Sequence, residues 1–470
     1  MTASPHPPMV HGLPPLTARL EPWMEELLAD PDAVADLVAR YGSPVNLLDF
    51  APFARNVADL LAPCTAHRVA ARVFVARKAN KAVGLVDAAL AGGHGVDVAS
   101  YDELRVCLER GVPGSDLVVS AAVKSPALLR LAVDHGAAVS LDNADELAAL
   151  RRVTTEAARP ARVALRLAVQ DASVPPTRFG LGAEQWAALA ASGGLDGQQV
   201  EGVHFHLNGY SAPDRVVALR AAVELVDTLR AGGHPVAWVD MGGGVPMSYL
   251  VDRGQWRDFW QRLAAQEGDE VTWRGDRLGM VDPSAARPSP ATYPFWQSPV
   301  RGAWLDQVLS AAGPGGTVAE LLRSRDLTLH LEPGRAVLDG CGMTVAEVAF
   351  RKTSSDGVPL VGLHMNRTQV RSTSADFLLD PIWLRPSTAG EPGAATDGFL
   401  VGAYCIEEEL LARRRFHFPR GVACGDLAVF PNTAGYLMHI VESASHQLPL
   451  ARNLVRGPAG FSPDPADRVG

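Results

Sequence analysis

Lysine is scarce in this chain, so each lysine is a candidate for amine chemistry. Of the 43 lysines and arginines, only Lys78, Lys81, Lys124 and Lys352 are lysines. An amine can attack a carbonyl group and form a Schiff base, whereas the guanidinium group of arginine cannot. The sequence therefore offers four candidates for a covalent bond to a carbonyl compound.

Two short motifs could hold a phosphate and a cationic ring. The glycine run MGGGV at 241–245 would let backbone N–H groups approach an anion without interference from side chains. In EPGR at 332–335, Glu332 could face a cationic ring nitrogen while Arg335 reaches a phosphate. Each motif also has a plainer interpretation, because a glycine run can be a tight turn and a carboxylate can form a structural salt bridge.

His204 and His206 are further polar candidates, and both lie on a predicted strand. Side chains alternate along a strand, so the two should point to opposite faces and only one should face a site. A buried core position is the more common fate of either histidine.

The elements that must position these residues begin near residue 71. Short β-branched apolar runs alternate there with longer helical stretches, as expected for parallel strands joined by crossover helices. Eight such units predict an α/β fold with a closed TIM-like (β/α)8 barrel, and a doubly wound open sheet is the alternative. The predicted strands are 71–76, 94–99, 117–120, 137–141, 162–168, 201–207, 236–241 and 327–332.

Polar residues collect at or just after the ends of these predicted strands. Lys78 follows the first strand, Arg166 and His206 lie near the ends of the fifth and sixth, Gly242–Gly244 follow the seventh, and Glu332 ends the eighth. Reactive residues of a βα barrel gather at the carboxyl ends of its strands. The sequence therefore predicts a site at that end of the barrel.

The pattern changes after Glu332, and 470 residues are too many for one ordinary core. A C-terminal antiparallel β domain is predicted, with a flexible loop at 388–397 and strands at 343–350, 359–363, 398–401 and 426–430. The long connection 250–326 is predicted as an insertion, either a lid or an inert surface excursion. The predicted boundaries are 1–35 for an N-terminal arm, 36–337 for the barrel, 338–455 for the β domain and 456–470 for a flexible tail.

In their order along the chain, from about residue 40 to 445, these motifs resemble the fold-type III pyridoxal-5′-phosphate (PLP) decarboxylases, the family of ornithine and diaminopimelate decarboxylases. VARKAN at 75–80 is similar to the family's Schiff-base motif, which selects Lys78 over Lys81. By the same resemblance, Asp97 and Glu103 in GVDVASYDEL support the lysine and the cofactor. The resemblance implies that PLP is held as a Schiff base on Lys78.

Other cofactor contacts follow from the same resemblance. Arg166 in ALRLA would help to order carboxylates near the site, and TRFGL at 177–181 resembles the family's substrate-region segment. His206 in GVHFHLNG would stack on the pyridine ring. The remaining contacts would be the amides of Gly243 and Gly244 with the phosphate, Glu332 with the pyridine nitrogen, and Arg335 and Tyr436 with the phosphate.

GAYCIEEE at 402–409 is similar to the family's glycine-x-x-cysteine motif, whose cysteine reaches across a dimer interface into the partner's site. The resemblance implies a homodimer with shared active sites, in which Cys405 is the candidate proton donor. The implied reaction removes the α-carboxylate of an amino acid as CO2, returns a proton to Cα from Cys405 or Lys78, and releases an amine. A lone cysteine would otherwise be assigned to the core.

Two other functions fit part of the pattern. An amino-acid racemase or epimerase could use Lys78 and Cys405 as bases on opposite faces, but alanine racemases are known to set an arginine against the pyridine nitrogen. Glu332 therefore favours decarboxylation. A catalytically silent decarboxylase homologue acting as a binding protein is disfavoured by the joint presence of the motif residues.

Several departures from the family pattern bear on the substrate. Ile406 stands where the family usually has an acidic residue after the cysteine. Asn208-Gly209 replaces the usual glycine-serine, and the segment 363–377 lacks the aspartate-glycine pattern of many basic-amino-acid decarboxylases. A distal ammonium group needs a carboxylate partner to offset its desolvation, so a diamino acid is a possible substrate rather than an assigned one.

Four side chains are candidates for compensating contacts. Glu409 fills the later acidic position, and Arg371 could bind a carboxylate. Glu407 and Glu408 are interpreted equally well as substrate contacts or as a solvated helix start.

Composition and the cysteine pattern predict a cytoplasmic protein, and the resemblance implies a small-molecule amino-acid substrate. A net charge of −9 without a clustered basic patch argues against nucleic acid. The chain has no apolar run of about 18 residues, and its N-terminus lacks the features of a secretory signal, so no membrane partner is expected. An odd number of cysteines without metal-ligand spacing predicts neither a disulfide framework nor a metal site.

Overall fold

The computed structural model describes residues 9–280, 284, 292–372 and 376–468 of the chain. The strands are β1 His11–Gly12, β2 Val45–Leu48, β3 Ala71–Ala76, β4 Gly95–Val98, β5 Leu117–Val119, β6 Ala138–Leu141, β7 Arg162–Arg166, β8 Gln199–His204, β9 Trp238–Asp240, β10 Ala312–Gly313, β11 Gly316–Thr317, β12 Thr328–Leu331, β13 Gly342–Thr353, β14 Pro359–Leu363, β15 Ile382–Leu384, β16 Thr396–Val401, β17 Phe416–Phe418, β18 Leu427–Pro431, β19 Arg452–Gly457 and β20 Gly460–Pro463. The helices are α1 Pro22–Leu28, α2 Pro31–Tyr41, α3 Ala51–Ala66, α4 Val83–Ala91, α5 Tyr101–Glu109, α6 Pro126–His135, α7 Ala144–Ala157, α8 Ala183–Ala191, α9 Ala212–Ala231, α10 Arg253–Ala265, α11 Arg301–Ser310 and α12 Val318–Ser324. Outside the described residues lie 1–8 of the predicted arm, 281–283 and 285–291 of the predicted insertion, 373–375 of the segment 363–377, and 469–470 of the predicted tail.

Eight strands close into a parallel barrel in the order β12-β3-β4-β5-β6-β7-β8-β9. The ring closes because β12 pairs in parallel with both β3 and β9. Each barrel strand overlaps one of the eight strands predicted from the sequence. The predicted TIM-like barrel is therefore confirmed, and the doubly wound open sheet is excluded.

The described chain divides into two compact units. The barrel unit comprises residues 53–246 and 299–337. The second unit comprises the described parts of 1–52, 247–298 and 338–470. The predicted barrel range, 36–337, is wider than this unit, because residues 36–52 and 247–298 belong by their contacts to the second unit.

The barrel interior has a layer of apolar side chains next to a layer of polar ones. The apolar layer is a buried cluster contributed by five strands: Phe74, Val118, Ala138, Ala164 and Trp238. Two residues further along the chain from each of these stand Ala76 and the polar residues Ser120, Ser140, Arg166 and Asp240. Because side chains two apart in a strand share a face, the polar layer lies at the carboxyl ends of the strands.

Two glycines leave room for the large rings of the apolar layer. A Cβ atom on Gly202 would lie 2.3 Å from the indole ring of Trp238, and one on Gly95 would lie 2.4 Å from the ring of Phe74. A glycine within a strand often marks such a close approach.

The second unit contains the predicted β domain. Its main sheet runs β1-β17-β16-β14-β13-β2-β19-β20, and β18 pairs with β13 and β15. Most neighbours are antiparallel, but β14 pairs with β16, and β19 with β2, in parallel. Strands β13, β14, β16 and β18 overlap the four predicted segments, so the second, mostly antiparallel β domain is confirmed.

The N-terminal segment is folded, unlike the predicted arm. Trp23, Met24 and Val34 on α1 and α2 are buried in one cluster with residues of β2, β13 and β18. Both helices begin with a proline, Pro22 and Pro31, at a position where the missing N–H costs nothing. The predicted tail, 456–470, likewise contains the end of β19 and all of β20, which pair antiparallel.

The predicted insertion 250–326 is not one feature. Helix α10 belongs to the second unit, whereas α11 and α12 belong to the barrel unit.

In the predicted loop 388–397, strand β16 already begins at Thr396, and Gly390 N–H donates to the carbonyl of Cys424 over 2.9 Å. Among the described residues, no helix combines the length and apolar content needed to cross a membrane.

Candidate active site

Lys78 lies on a turn of 3-10 helix, Arg77–Ala79, immediately after β3. Its Nζ donates to Asp97 Oδ2 over 2.8 Å, and Asp97 is buried on β4. The Ser120 hydroxyl donates to the other oxygen of Asp97. The side chain of Lys78 keeps 31% of its surface exposed, so a buried carboxylate holds an amine that solvent can reach.

The other three lysines are placed differently. Lys124 is buried and donates to Glu146 Oε1 over 2.8 Å and to the carbonyl of Ala121. Lys352 belongs to the second unit, with its Nζ over the ring of Phe350. Lys81 accepts a hydrogen bond from Arg77 at its backbone carbonyl.

Glu332 follows β12 and is buried beside two residues that share its end of the barrel. Its Oε2 lies 3.5 Å from His204 Nε2. A ring nitrogen of His204, a carboxylate oxygen of Asp240 and one of Glu332 all lie within 4.8 Å of one another. Burial raises the pKa of Glu332, while the positive charges of Lys78 and Arg166 lower it. Burial, with the negative charge of Glu332, raises the pKa of Asp240 well above its ordinary value.

Both histidines contact residues of the site, which corrects the prediction that they would point to opposite faces and only one would face the site. His204 is the last residue of β8, and its Nδ1 lies 2.7 Å from Ser140 Oγ. His206 lies beyond the strand, where the alternation of side chains no longer applies, and its Nδ1 accepts from Gly243 N–H over 3.2 Å. Burial lowers the pKa of both imidazoles well below the ordinary value, so both are neutral.

The glycine run 242–244 makes a tight loop after β9. Gly244 has a left-handed φ of 75°, and a Cβ atom there would lie 2.0 Å from the guanidinium of Arg215. Arg215 is fully buried on α9 and donates to the carbonyls of Leu207, Gly209 and Gly243. Glycine suits such a loop, in which Gly242 N–H donates to Asp240 and Gly243 N–H to His206.

Glu103 and Arg166 organise the loops around Lys78. Glu103 Oε2 accepts from Ala99 N–H over 2.6 Å and so fixes the turn between β4 and α5; burial raises its pKa. Arg166 lies 3.7 Å from Asp142 and donates to the carbonyl of Ser120. Its guanidinium also covers the ring of Phe179 in the TRFGL segment.

Four predicted site residues belong to the second unit. Cys405 is exposed, and Tyr436 has a left-handed φ of 72°. Glu409 accepts from Arg367 N–H over 2.8 Å, and Arg371 donates to the buried Asp376 over 2.8 Å. Glu409 and Arg371, predicted as substrate contacts, therefore each have a partner within their own unit.

Sequence reasoning missed Asp240, Ser120, Ser140 and Arg215. Asp240 stands two residues before the first glycine of the run, and that position was a usable signal. Ser120 and Ser140 stand at the ends of neighbouring strands, in the same inward-facing position as Arg166. Arg215 carries no such signal, because an arginine in a helix is usually exposed.

The barrel residues fit the cofactor that the resemblance implies. Within the described part of the chain, Glu332 Oε1 and Asp240 Oδ2 are buried and have no hydrogen-bond partner. A buried, unpaired carboxylate oxygen calls for a donor, which a protonated ring nitrogen would supply. Together with Lys78 and the glycine loop, these atoms provide an amine, an anion cradle and a counter-charge.

Comparison with known proteins gives the same identification. Residues 57–265 match the family model described as pyridoxal-dependent decarboxylase, pyridoxal binding domain. An uncharacterized protein of Sinorhizobium fredii is 32% identical over 94% of this chain and 93% of its own length. The diaminopimelate decarboxylase of Pseudomonas aeruginosa is 26% identical over 87% of each chain.

Solved structures share the fold. The crystal structure of diaminopimelate decarboxylase from M. jannaschii has a TM-score of 0.70 at 16% identity, covering 91% of this chain and 90% of that chain. An SrLDC mutant in complex with PLP has a TM-score of 0.66 at 19% identity, covering 94% of this chain and 96% of that chain. Taken with the sequence matches, this likeness shows that the chain belongs to the fold-type III PLP-dependent decarboxylases and that its cofactor is pyridoxal 5′-phosphate.

Proposed function

We propose that this enzyme removes the α-carboxylate of an amino acid as CO2, with PLP bound covalently to Lys78. The observation that carries the proposal is the pairing of Lys78 with buried Asp97 at the same barrel end as the buried carboxylate Glu332. When bound, the cofactor supplies an electron sink for the bond that breaks at Cα. The protein's own part is to hold the ring, keep its nitrogen protonated and return a proton to Cα.

Each of these tasks is assigned to particular residues. Glu332 would keep the ring nitrogen protonated, because an ionised carboxylate favours a neighbouring positive charge. Neutral His206 would stack on the ring, and its contact with Gly243 N–H holds it against the glycine loop. Because Gly243 N–H is engaged by His206, the predicted phosphate contacts that remain in the barrel unit are the amide of Gly244 and Arg335.

Cys405 would return the proton to Cα from the partner subunit of a homodimer. It is exposed, so its thiol is available to a partner. Cys64, Cys107 and Cys341 are buried thiols, and free cysteines fit the reducing cytoplasm that we propose as the location of the enzyme.

A diamino acid is the substrate class that we propose to test first. The relatives carry the names diaminopimelate decarboxylase and lysine/ornithine decarboxylase. In this chain Glu409 already accepts from Arg367, and Arg371 already pairs with Asp376. We therefore expect any distal ammonium group to be bound by other carboxylates, of which Glu407 and Glu408 are the nearest candidates in sequence.

The deciding experiment incubates PLP-loaded enzyme with L- and D-amino acids and L- and D-diamino acids. CO2 release and loss of optical rotation are scored separately, so that a racemase is distinguished from a decarboxylase. Lys78→Ala should abolish CO2 release, whereas Lys81→Ala, on the same loop, should retain it. Racemisation without CO2 release, or no turnover of any amino acid by PLP-loaded enzyme, would refute the proposal.

A further inference from the structure

His204 and Asp240, beside Glu332, have no role in the proposed reaction. Asp240 is fully buried on β9, and its Oδ1 accepts from Gly242 N–H over 2.8 Å. Its Oδ2 has no hydrogen-bond partner among the described residues, and the same is true of Glu332 Oε1. Two buried carboxyl groups, each with an oxygen that has no hydrogen-bond partner, therefore lie close together.

Both carboxyl groups cannot be ionised there without a cation of their own. Like charges at this separation repel strongly in a medium of low dielectric constant. The two cations that act on Glu332 already have carboxylate partners, since Lys78 pairs with Asp97 and Arg166 with Asp142. The pair must therefore retain one proton.

The surroundings place that proton on Asp240. Lys78 favours the ionised form of both carboxyl groups, but Arg166 favours that of Glu332 alone, so Glu332 keeps the charge. Asp240 experiences chiefly burial and the negative charge of Glu332, both of which favour its neutral form. A neutral Asp240 can accept from Gly242 through Oδ1 and still carry a hydrogen on the orphaned Oδ2.

His204 offers a second donor. Burial and the positive charge of Arg166 keep the imidazole neutral, so it carries one ring proton. When the Ser140 hydroxyl donates to Nδ1, that proton lies on Nε2, the nitrogen 3.5 Å from Glu332 Oε2. This nitrogen is buried and has no hydrogen-bond partner among the described residues, so it can turn its proton to Glu332.

We propose that Asp240, as a neutral acid, and neutral His204 are positioning residues that donate to Glu332 and hold it as an oriented carboxylate for the ring nitrogen of the cofactor. The proposal rests on the proposed function for the role of Glu332. It does not depend on which amino acid is the substrate.

The test compares Asp240→Asn with Asp240→Ala. Asparagine reproduces the neutral acid, because its Oδ1 can accept from Gly242 while its Nδ2 donates to Glu332. Asp240→Asn should therefore bind PLP within about threefold of wild type, whereas Asp240→Ala should weaken PLP binding about 10- to 100-fold. PLP dissociation constants from equilibrium dialysis give the readout, and equal weakening in both variants would overturn the proposal.

Infrared spectroscopy of the cofactor-free protein tests protonation independently of function. The wild type should show the C=O stretch of a protonated carboxyl at neutral pH, and Asp240→Asn should lose it. Asp339→Asn is the matched control, because Asp339 is also buried but pairs with Arg19 over 2.7 Å. Absence of the band in the wild type would overturn the proposal even if Asp240→Ala fails to fold.

Two further outcomes are distinguishable. Histidine and carboxylates also bind divalent metals, so Zn²⁺ retained by the purified protein and lost in Asp240→Asn would overturn the proposal, because a metal needs deprotonated ligands. If the protein binds PLP but decarboxylates nothing, the proposed function fails, while the infrared band and the PLP dissociation constants still decide the role of Asp240.

Discussion

The carboxylate beside Lys78 determines how that amine is held. Asp97 accepts from both Lys78 and Ser120, so each of its oxygens faces a donor. A buried group that accepts two hydrogen bonds has one orientation, and it therefore orients the amine that it binds. We infer that Asp97 is as necessary for cofactor attachment as the lysine is for the covalent bond.

Asp97→Asn should lower both PLP loading and decarboxylation by about 10- to 100-fold, because one amide N–H₂ group would face a donor and the counter-charge of Lys78 would be lost. Cofactor absorbance and CO2 release measure the two effects. Asp116→Asn is the control: Asp116 pairs with Arg72 over 2.6 Å where β3 and β5 begin, and this half-exposed pair should affect both readouts less than about twofold. Full PLP loading in Asp97→Asn would contradict this role.

At the scale of elements, the apolar layer of the barrel contains one buried histidine. His330 on β12 stacks on Trp238, with ring centroids 4.5 Å apart, and contacts Phe74 at 4.7 Å. Burial lowers the pKa of His330 to about 3, and its Nδ1 has no hydrogen-bond partner in the described part of the chain. The unfolded chain therefore binds a proton at this residue in a pH range where the folded barrel does not.

This difference makes the barrel less stable in acid. Between pH values of about 3 and 6.5 the unfolded state binds more protons at His330, so stability rises with pH through that window and falls as pH drops. From about pH 7 to pH 5 the loss is roughly 2 kcal/mol. His330→Phe should remove that part of the dependence, as measured by denaturant unfolding at both pH values. An unchanged pH dependence in the variant would show that His330 does not contribute.

The elements also show what a sequence can predict. All eight barrel strands were found because each is a short apolar run, and the order of motifs located Lys78, His206 and Glu332 near strand ends. The buried role of Arg215 could not be predicted, because its acceptors are carbonyls of Leu207, Gly209 and Gly243, from loops that only the fold brings together. The shared location of His204 and His206 was missed because β8 ends between them.

At the scale of the whole molecule, the role that we propose for the exposed Cys405 requires two subunits. In the proposed homodimer, each site combines Lys78 of one subunit with the partner's Cys405. A subunit lacking the lysine can then supply a cysteine to a subunit lacking the cysteine. Sites built from one chain alone would allow no such exchange.

Mixing Lys78→Ala with Cys405→Ala subunits should therefore restore about a quarter of wild-type activity, because half of randomly assorted dimers are hybrids and each hybrid has one intact site. CO2 release after subunit exchange measures the recovery. A mixture of Lys78→Ala with the double variant Lys78→Ala/Cys405→Ala is the matched control, since neither of its sites has a lysine. If the first mixture does not exceed the residual activity of Cys405→Ala dimers, each site draws its cysteine from its own chain or uses none.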